Sequence, residues 1–128
     1  MNRILITGGC GFIGSNFILS QVETHKNKIQ NLDKLTYAGN IKNLSSISNK
    51  SNYQFVKGNI SDAQVVNETI HTFQPDVIVH FAAESHVDRS IDLPMEFIQT
   101  NIVGTANLLS ASLEYWQRLN KDGQGEKF

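Results

Sequence analysis

Residues 3–14 read RILITGGCGFIG, so a short apolar run leads directly into a glycine-rich loop. The run at 3–7 is rich in β-branched residues, which is typical of a strand. After the loop, apolar residues recur at helical spacing from Phe12 to Val22. The sequence therefore predicts a strand, a tight turn and a helix in immediate succession.

The remainder of the chain alternates in the same way between strand-like and helix-like segments. Such alternation predicts a parallel sheet with helices on both faces, a Rossmann-like doubly wound α/β fold, for which we expect strand order 3-2-1-4. Ser61 and Gln64 have the spacing of a capping box at the start of a helix. The further strands are predicted at 28–33, 53–57 and 77–81, and the further helices at 41–47 (short), 61–73 and 94–119 (long).

Composition sets the limits of the function. A chain of 128 residues with a formal net charge of −1 has the composition of one ordinary globular domain, with no basic excess for nucleic acid. No apolar run approaches the ~20 residues that cross a bilayer, so we expect a cytoplasmic protein with no membrane partner. Cys10 is the only cysteine, which excludes an internal disulfide or a cysteine-based metal site. We expect no metal.

The glycine loop has the spacing of a phosphate-binding turn. Gly8 would permit the sharp turn, Gly11 would let backbone N–H groups approach a pyrophosphate, and Gly14 would let the helix pack close to the sheet. Asp33 lies about 20 residues further on, at the end of the second strand, where a carboxylate can accept from ribose hydroxyls. The same carboxylate would repel a 2′-phosphate. The sequence therefore predicts a dinucleotide site that prefers NAD to NADP, although Lys34 stands beside the carboxylate.

Four segments carry a resemblance to a known family. The motif Thr-Gly-x-x-Gly-x-x-Gly at 7–14 resembles that of the short-chain dehydrogenase/reductase superfamily. The segments NLDKLTYAGN at 31–40, FAAESHVDRS at 81–90 and TNIVGT at 100–105 are similar to those of dTDP-glucose 4,6-dehydratases in its extended branch. The resemblance covers essentially the whole chain. It implies a lyase of deoxysugar biosynthesis that converts dTDP-glucose to dTDP-4-keto-6-deoxyglucose with NAD, and a homodimer for the full-length protein.

The resemblance also assigns positions to the cofactor. It implies that Phe12 and Ile13 lie against the pyrophosphate and that Asn59 and Ile60 border the adenine, where the family usually has aspartate in place of Asn59. Small residues at Ala82 and Ala83 independently fit a flat ring at the carboxyl edge of the sheet, although a tight strand exit would look the same. The other implied contacts are Asp33, Lys34, Leu35 and Thr36 with the adenosine ribose, Phe81, Ala82, Ala83, Glu84, Ser85 and Thr100 with the nicotinamide half, and Ser85 also with the sugar nucleotide.

The proton-transferring groups of the superfamily are not recognisable. Its chemistry uses Tyr-x-x-x-Lys on a helix, where the lysine lowers the pKa of the tyrosine. Tyr53 and Lys57 match this spacing, but they stand in a predicted strand, where positions four apart are about 13 Å from each other. We therefore predict no catalytic residue in this chain, and we expect 1–128 to be an incomplete NAD-binding domain that stops before a fifth strand.

Several readings stay open on the sequence alone. Another extended-branch dehydratase or an epimerase would share this first half, and a non-catalytic NAD-binding module would also lack the tyrosine and lysine. The polar residues 84–89 can instead be a solvated loop with internal ion pairs, which we favour for Asp88 and Arg89. Tyr115 and Trp116 can belong to the core or to a dimer face, and we expect Trp116 in the core.

Overall fold

The computed structural model describes residues 1–36, 39–119 and 124, and its centre is a four-stranded parallel sheet in the order β3-β2-β1-β4. The predicted α/β fold and strand order are confirmed. The strands are β1 (Arg3–Thr7), β2 (Lys28–Asp33), β3 (Tyr53–Lys57) and β4 (Val77–His80). The helices are α1 (Phe12–Glu23), α2 (Ala63–Phe73), α3 (Val87–Asp92), α4 (Pro94–Phe97) and α5 (Thr105–Arg118), with a 3₁₀ helix at Ile41–Ile47 and a π-helical segment at Ile98–Gly104.

Alternating side chains of the central strand divide the core into two layers. Leu5 packs on the face covered by α2 and α5, whereas Ile4 and Ile6 pack on the face covered by α1 and the 3₁₀ helix. Both faces of β1 are apolar because both are covered, as expected for an interior parallel strand. The helices thus hold the ends of β1 and β2 rigidly beside the glycine loop.

The start of α2 differs from the prediction by one residue. Asp62, and not Ser61, is the N-cap, and its carboxylate accepts from the backbone N–H groups of Gln64 and Val65 at 3.1 and 3.4 Å. The Ser61 backbone N–H donates instead to Asn59 Oδ1 at 3.0 Å, which keeps Ser61 in the preceding turn. A local side-chain turn therefore displaced the predicted cap.

The long predicted helix is present but not uniform. It begins with α4 at Pro94, widens into the π-helical segment and continues as α5 to Arg118. Asp88 and Arg89, predicted to lie in a solvated loop, are helical within α3, and Arg89 pairs with Glu96 at 3.3 Å. The ion pair thus joins α3 to α4.

The prediction for Trp116 is wrong. Tyr115 is the buried aromatic residue, 5% exposed, whereas Trp116 is 36% exposed and its indole N–H donates to the Gln124 carbonyl. Tyr115 lies seven and four residues after Leu108 and Ala111 and shares their buried helix face. Trp116 stands one residue further round the helix, away from α2.

Within the described ranges, β4 pairs only with β1, so its other side is a sheet edge. Val77 on this edge is 39% exposed. None of the described helices combines the length and the apolar character needed to span a bilayer.

Candidate nucleotide site

A cavity of about 370 Å³ opens at the carboxyl edge of the sheet, where β1, β2 and β4 end. In parallel α/β sheets this edge is the usual place for a ligand. Every residue predicted to contact the cofactor lines this cavity except Leu35, whose side chain packs in the core layer beneath α1. The cavity is lined by Gly8, Gly11, Phe12, Ile13, Gly14, Leu32, Asp33, Lys34, Thr36, Gly39, Gly58, Asn59, Ile60, Phe81, Ala82, Ala83, Glu84, Ser85 and Thr100.

The three glycines of the loop are required for different reasons. Gly8 has φ +70°, and a Cβ there would lie 2.5 Å from the Ala82 nitrogen. A Cβ at Gly14 would lie 2.5 Å from the Gly8 carbonyl oxygen, so both positions are closed by the protein itself. A Cβ at Gly11 would meet only the Gly8 oxygen, at an ordinary 3.5 Å. Packing therefore explains Gly8 and Gly14 but leaves room for a side chain at Gly11.

The amino end of α1 points into this cavity without a side-chain cap. Its N-cap is Gly11, and its first turn contains no acidic residue. The first N–H groups of a helix have no helical acceptor and carry partial positive charge, which favours an anion. Phe12 and Ile13 on this turn are 84% and 68% exposed, so an apolar surface lies beside the amino end of the helix. The arrangement suits a phosphate with an apolar neighbour.

Asp33 and Asn31 hold the loop from β2. The Asp33 carboxylate accepts from the backbone N–H groups of Cys10 and Leu35 at 2.9 and 2.8 Å, and Asp33 is 8% exposed. The buried Asn31 side chain accepts from the Gly9 N–H at 3.0 Å and donates to Tyr53 Oη at 3.1 Å. The acidic residue predicted for the ribose thus also fixes the shape of the loop.

Cys10 is fully buried behind the loop. Burial raises the pKa of its thiol to about 11, with the nearby Asp33 carboxylate adding to the effect. A neutral, buried thiol is unreactive and packs as a small apolar group. Cys10 therefore fills space behind the loop.

The exit of β4 is held by a threonine and a histidine. Thr7 Oγ1 accepts from the Ala82 N–H at 3.3 Å and lies 2.6 Å from His80 Nδ1, while His80 Nε2 lies 3.0 Å from Thr105 Oγ1. Burial lowers the pKa of His80, so the ring is neutral in this network near pH 7. The network ties the cavity wall at Ala82 to β1 and α5.

The opposite wall contains an ion pair between the segments that follow β2 and β4. Lys34 Nζ lies 3.5 Å from Glu84 Oε1 and donates to Thr100 Oγ1 at 3.4 Å. Asn101 clamps the Glu84 backbone, accepting from its N–H and donating to its carbonyl, both at 2.8 Å. The π-helical segment thus supplies two adjacent residues to this wall.

The residues predicted to border the adenine are held by hydrogen bonds between side chains and backbone groups. Asn59 Oδ1 accepts from the Ser61 N–H, which leaves the amide nitrogen and a second lone pair of the oxygen for other partners. The Ile60 carbonyl accepts from the Asn107 side chain at 2.9 Å. Asn59 and Ile60 therefore line the cavity on a rigid turn between β3 and α2.

Sequence reasoning missed the residues that position the site. Thr7 and His80 are polar groups in otherwise apolar strands, Asn31 lies in the mixed strand β2, and Asn101 lies on the predicted long helix. A buried polar side chain needs a partner, so a polar residue inside an apolar strand beside the glycine loop was the available signal. For Asn101, the helical pattern of the sequence contained no such signal.

Comparison with known proteins agrees with this geometry. A family model described as GDP-mannose 4,6 dehydratase matches residues 5–124. The dTDP-glucose 4,6-dehydratase of Xanthomonas campestris pv. campestris (strain B100) is 51% identical over 115 residues, which are 90% of this chain and 32% of that protein. The chain thus spans about a third of the length of this curated relative.

Solved structures show the same fold. The dTDP-glucose 4,6-dehydratase of Streptomyces venezuelae, crystallised with NAD, superposes with a TM-score of 0.82 at 42% identity, over 88% of this chain and 36% of that one. The UDP-glucose 4-epimerase of Thermotoga maritima superposes with a TM-score of 0.79 at 31% identity, over 88% of this chain and 34% of that one. The resemblance seen in the glycine loop and in segments 31–40, 81–90 and 100–105 is confirmed, and the chain belongs to the GDP-mannose 4,6 dehydratase family.

Proposed function

We propose that this chain is the NAD-binding part of a nucleotide-sugar 4,6-dehydratase, a hydro-lyase that acts on dTDP-glucose. Residues 1–128 would form a single NAD-binding domain, and the sugar-binding and proton-transferring parts would be supplied by other residues. The observation that carries the proposal is the convergence of the predicted contacts, all but Leu35, on one cavity at the carboxyl edge of the sheet.

The cavity fits a dinucleotide on its own evidence. Gly11 has space for a side chain that the protein does not use, which is expected where a ligand approaches the backbone. The uncapped amino end of α1 offers partial positive charge to a pyrophosphate. The volume of about 370 Å³ is also within the ordinary range of small-molecule sites.

The residues divide the cofactor between them. Gly8, Gly11, Phe12, Ile13 and Gly14 would hold the pyrophosphate. Asp33, Lys34 and Thr36 would surround the adenosine ribose, with Leu35 acting through its backbone, and Asn59 and Ile60 would border the adenine. Phe81, Ala82, Ala83, Glu84, Ser85 and Thr100 would line the nicotinamide half, and Ser85 would also reach the sugar nucleotide.

The chemistry then requires groups that this chain does not provide. NAD, when bound, would accept a hydride from the sugar and later return it. The only Tyr-x-x-x-Lys match in the sequence is Tyr53 with Lys57, and both stand in β3, with Tyr53 hydrogen-bonded to Asn31. We therefore assign binding and orientation of the cofactor, and no proton transfer, to residues 1–128.

Titration calorimetry with NAD and NADP tests the proposal. We expect NAD to bind, and NADP to bind at least tenfold more weakly, because Asp33 repels a 2′-phosphate. Asp33→Asn keeps the size of the side chain and removes its charge, so it should narrow this preference. A folded chain that binds neither nucleotide would refute the function, and equal affinity for both would remove Asp33 from its role.

A further inference from the structure

The Asp33-Lys34 pair poses a question of specificity. Asp33 disfavours a 2′-phosphate, whereas an ammonium group one residue away would attract it. Both side chains line the same cavity. A site with an unengaged lysine here would lose part of its discrimination between NAD and NADP.

Lys34 is engaged by a buried acid. The Glu84 side chain is 4% exposed and the Lys34 side chain 29%, with Nζ 3.5 Å from Oε1. A buried carboxylate that loses its cation is strongly disfavoured, so Glu84 holds Lys34 more firmly than a surface acid would. Thr100 Oγ1, itself buried, accepts from the same ammonium at 3.4 Å. A phosphate would have to draw Lys34 away from both.

Glu84 is in turn held in place through its backbone. Asn101 binds both the N–H and the carbonyl of Glu84 at 2.8 Å, which fixes the backbone from which this carboxylate projects. Thr100 and Asn101 both belong to the π-helical segment. Lys34 is therefore held by Glu84, which follows β4, and by the π-helical segment that follows α4.

A neighbouring cavity adjoins the nucleotide cavity, and its basic side chains are also paired with acids. It shares Lys34, Glu84 and Thr100 with the nucleotide cavity, and its basic side chains are Lys34 and Arg89. Arg89 pairs with Glu96 at 3.3 Å, although these two side chains are 40% and 48% exposed. Arg89 lines this neighbouring cavity but not the nucleotide cavity, so its ion pair with Glu96 provides a matched control for the pair of Lys34 with Glu84.

The geometry points to Glu84 as a specificity residue: by holding Lys34, it withholds that cation from the 2′-phosphate of NADP and so enforces the choice of NAD. This inference rests on the proposed nucleotide-binding function. It adds a second, indirect element to the direct repulsion by Asp33. Glu84 acts here through Lys34 and is a positioning residue.

Glu84→Gln tests the role of the ion pair with Lys34, because glutamine keeps the size of the side chain and lacks the charge. Calorimetric Kd values for NAD and NADP, and for the fragments 5′-AMP and 2′,5′-ADP, would be measured with wild type and variant. We expect the affinity of the variant for NADP relative to NAD, and for 2′,5′-ADP relative to 5′-AMP, to rise about fivefold. Fivefold corresponds to ~1 kcal/mol, the upper range for a partly exposed ion pair.

Two further variants locate the effect. Lys34→Met combined with Glu84→Gln should return the affinity for 2′,5′-ADP relative to 5′-AMP to the wild-type ratio, because the released ammonium is then absent. Glu96→Gln removes an equal charge from the adjacent ion pair and should leave the ratio of the two fragments unchanged. Circular dichroism would establish that each variant is folded.

The outcomes separate the two proposals. If wild type binds NAD and 5′-AMP but Glu84→Gln leaves the NADP preference as it was, the specificity role of Glu84 is overturned and the proposed function stands. An equal gain in Glu96→Gln, or a gain that persists in the double variant, also overturns that role. If the folded wild-type chain binds neither NAD nor 5′-AMP, the proposed function and the specificity role fall together.

Discussion

Replacement of Gly11 by alanine should weaken ligand binding without destabilising the fold, whereas replacement of Gly8 by alanine should destabilise the fold itself. Gly11 has φ −74° and ψ 174°, a conformation open to any residue, and the added Cβ would have its nearest neighbour at 3.5 Å. Lower entropy of the unfolded chain stabilises such a replacement by about 0.4–1 kcal/mol. The poorer N-cap offsets this by a similar amount. The free energy of unfolding should therefore change by less than ~0.5 kcal/mol.

Gly8→Ala is the matched destabilising variant. Its φ of +70° adds about 1–2 kcal/mol for a residue with a Cβ. The contact of 2.5 Å with the Ala82 backbone nitrogen forces movement of β4 and adds about 1–3 kcal/mol. A total of about 2–5 kcal/mol is a large part of the ~5–15 kcal/mol that stabilises an ordinary domain. The Tm should fall by ~10 °C or more.

Thermal unfolding by circular dichroism and calorimetry with NAD measure the two effects. Gly11→Ala should melt within ~2 °C of wild type. Its NAD affinity should fall at least tenfold, because the methyl group occupies the path of the pyrophosphate to the backbone. Loss of stability in Gly11→Ala comparable with that of Gly8→Ala would contradict the packing argument. Wild-type affinity in Gly11→Ala would contradict the close approach of a ligand.

Three further outcomes are expected. The chain should form no 4-keto sugar from dTDP-glucose in a spectrophotometric assay, and turnover would direct attention back to Tyr53 and Lys57. Because burial lowers the pKa of His80, the unfolded state binds a proton more readily than the folded state below about pH 6.5, and the free energy of unfolding should decline there. In urea titrations at pH 7 and pH 5, His80→Gln should reduce this decline, whereas replacement of the exposed His25 should not. An exposed strand edge favours self-association, so Val77→Lys, which places a charge on the outer edge of β4, should reduce ANS binding and light scattering. Unchanged scattering would count against an exposed edge.

The layout of the sheet was accessible from sequence because local and global signals agree there. Apolar β-branched runs marked β1 and β4, the mixed segments 28–33 and 53–57 were also predicted as strands, and only the last strand was predicted one residue too long. The glycine spacing and Asp33 then located the cavity, since parallel strands bring their carboxyl ends to one edge. These features depend on neighbours in sequence.

The missed features depend on contacts between distant segments. Asn31 and Asn101 act on backbone groups 22 and 17 residues away, and no periodicity encodes such pairs. The helix α3 has no buried residue and so leaves no apolar pattern. Trp116 was misplaced because hydrophobicity alone favours burial of the larger ring, whereas helical phase places Tyr115 against α2.

The π-helical segment sets the rotational phase of the long helix. The buried residues Thr100, Gly104 and Leu108 are spaced four apart. In a regular α-helix each step of four advances about 40° beyond a full turn, so two steps would rotate Thr100 about 80° away from the face of Leu108. The wider turn at 98–104 compensates for this excess rotation, so that one helix contributes Thr100 to the cavity wall and Leu108 to the core. If this segment became a regular α-helix without losing a residue, its two halves would be out of phase; deleting a single residue there would place Thr100 and Leu108 seven apart, within about 20° of one face.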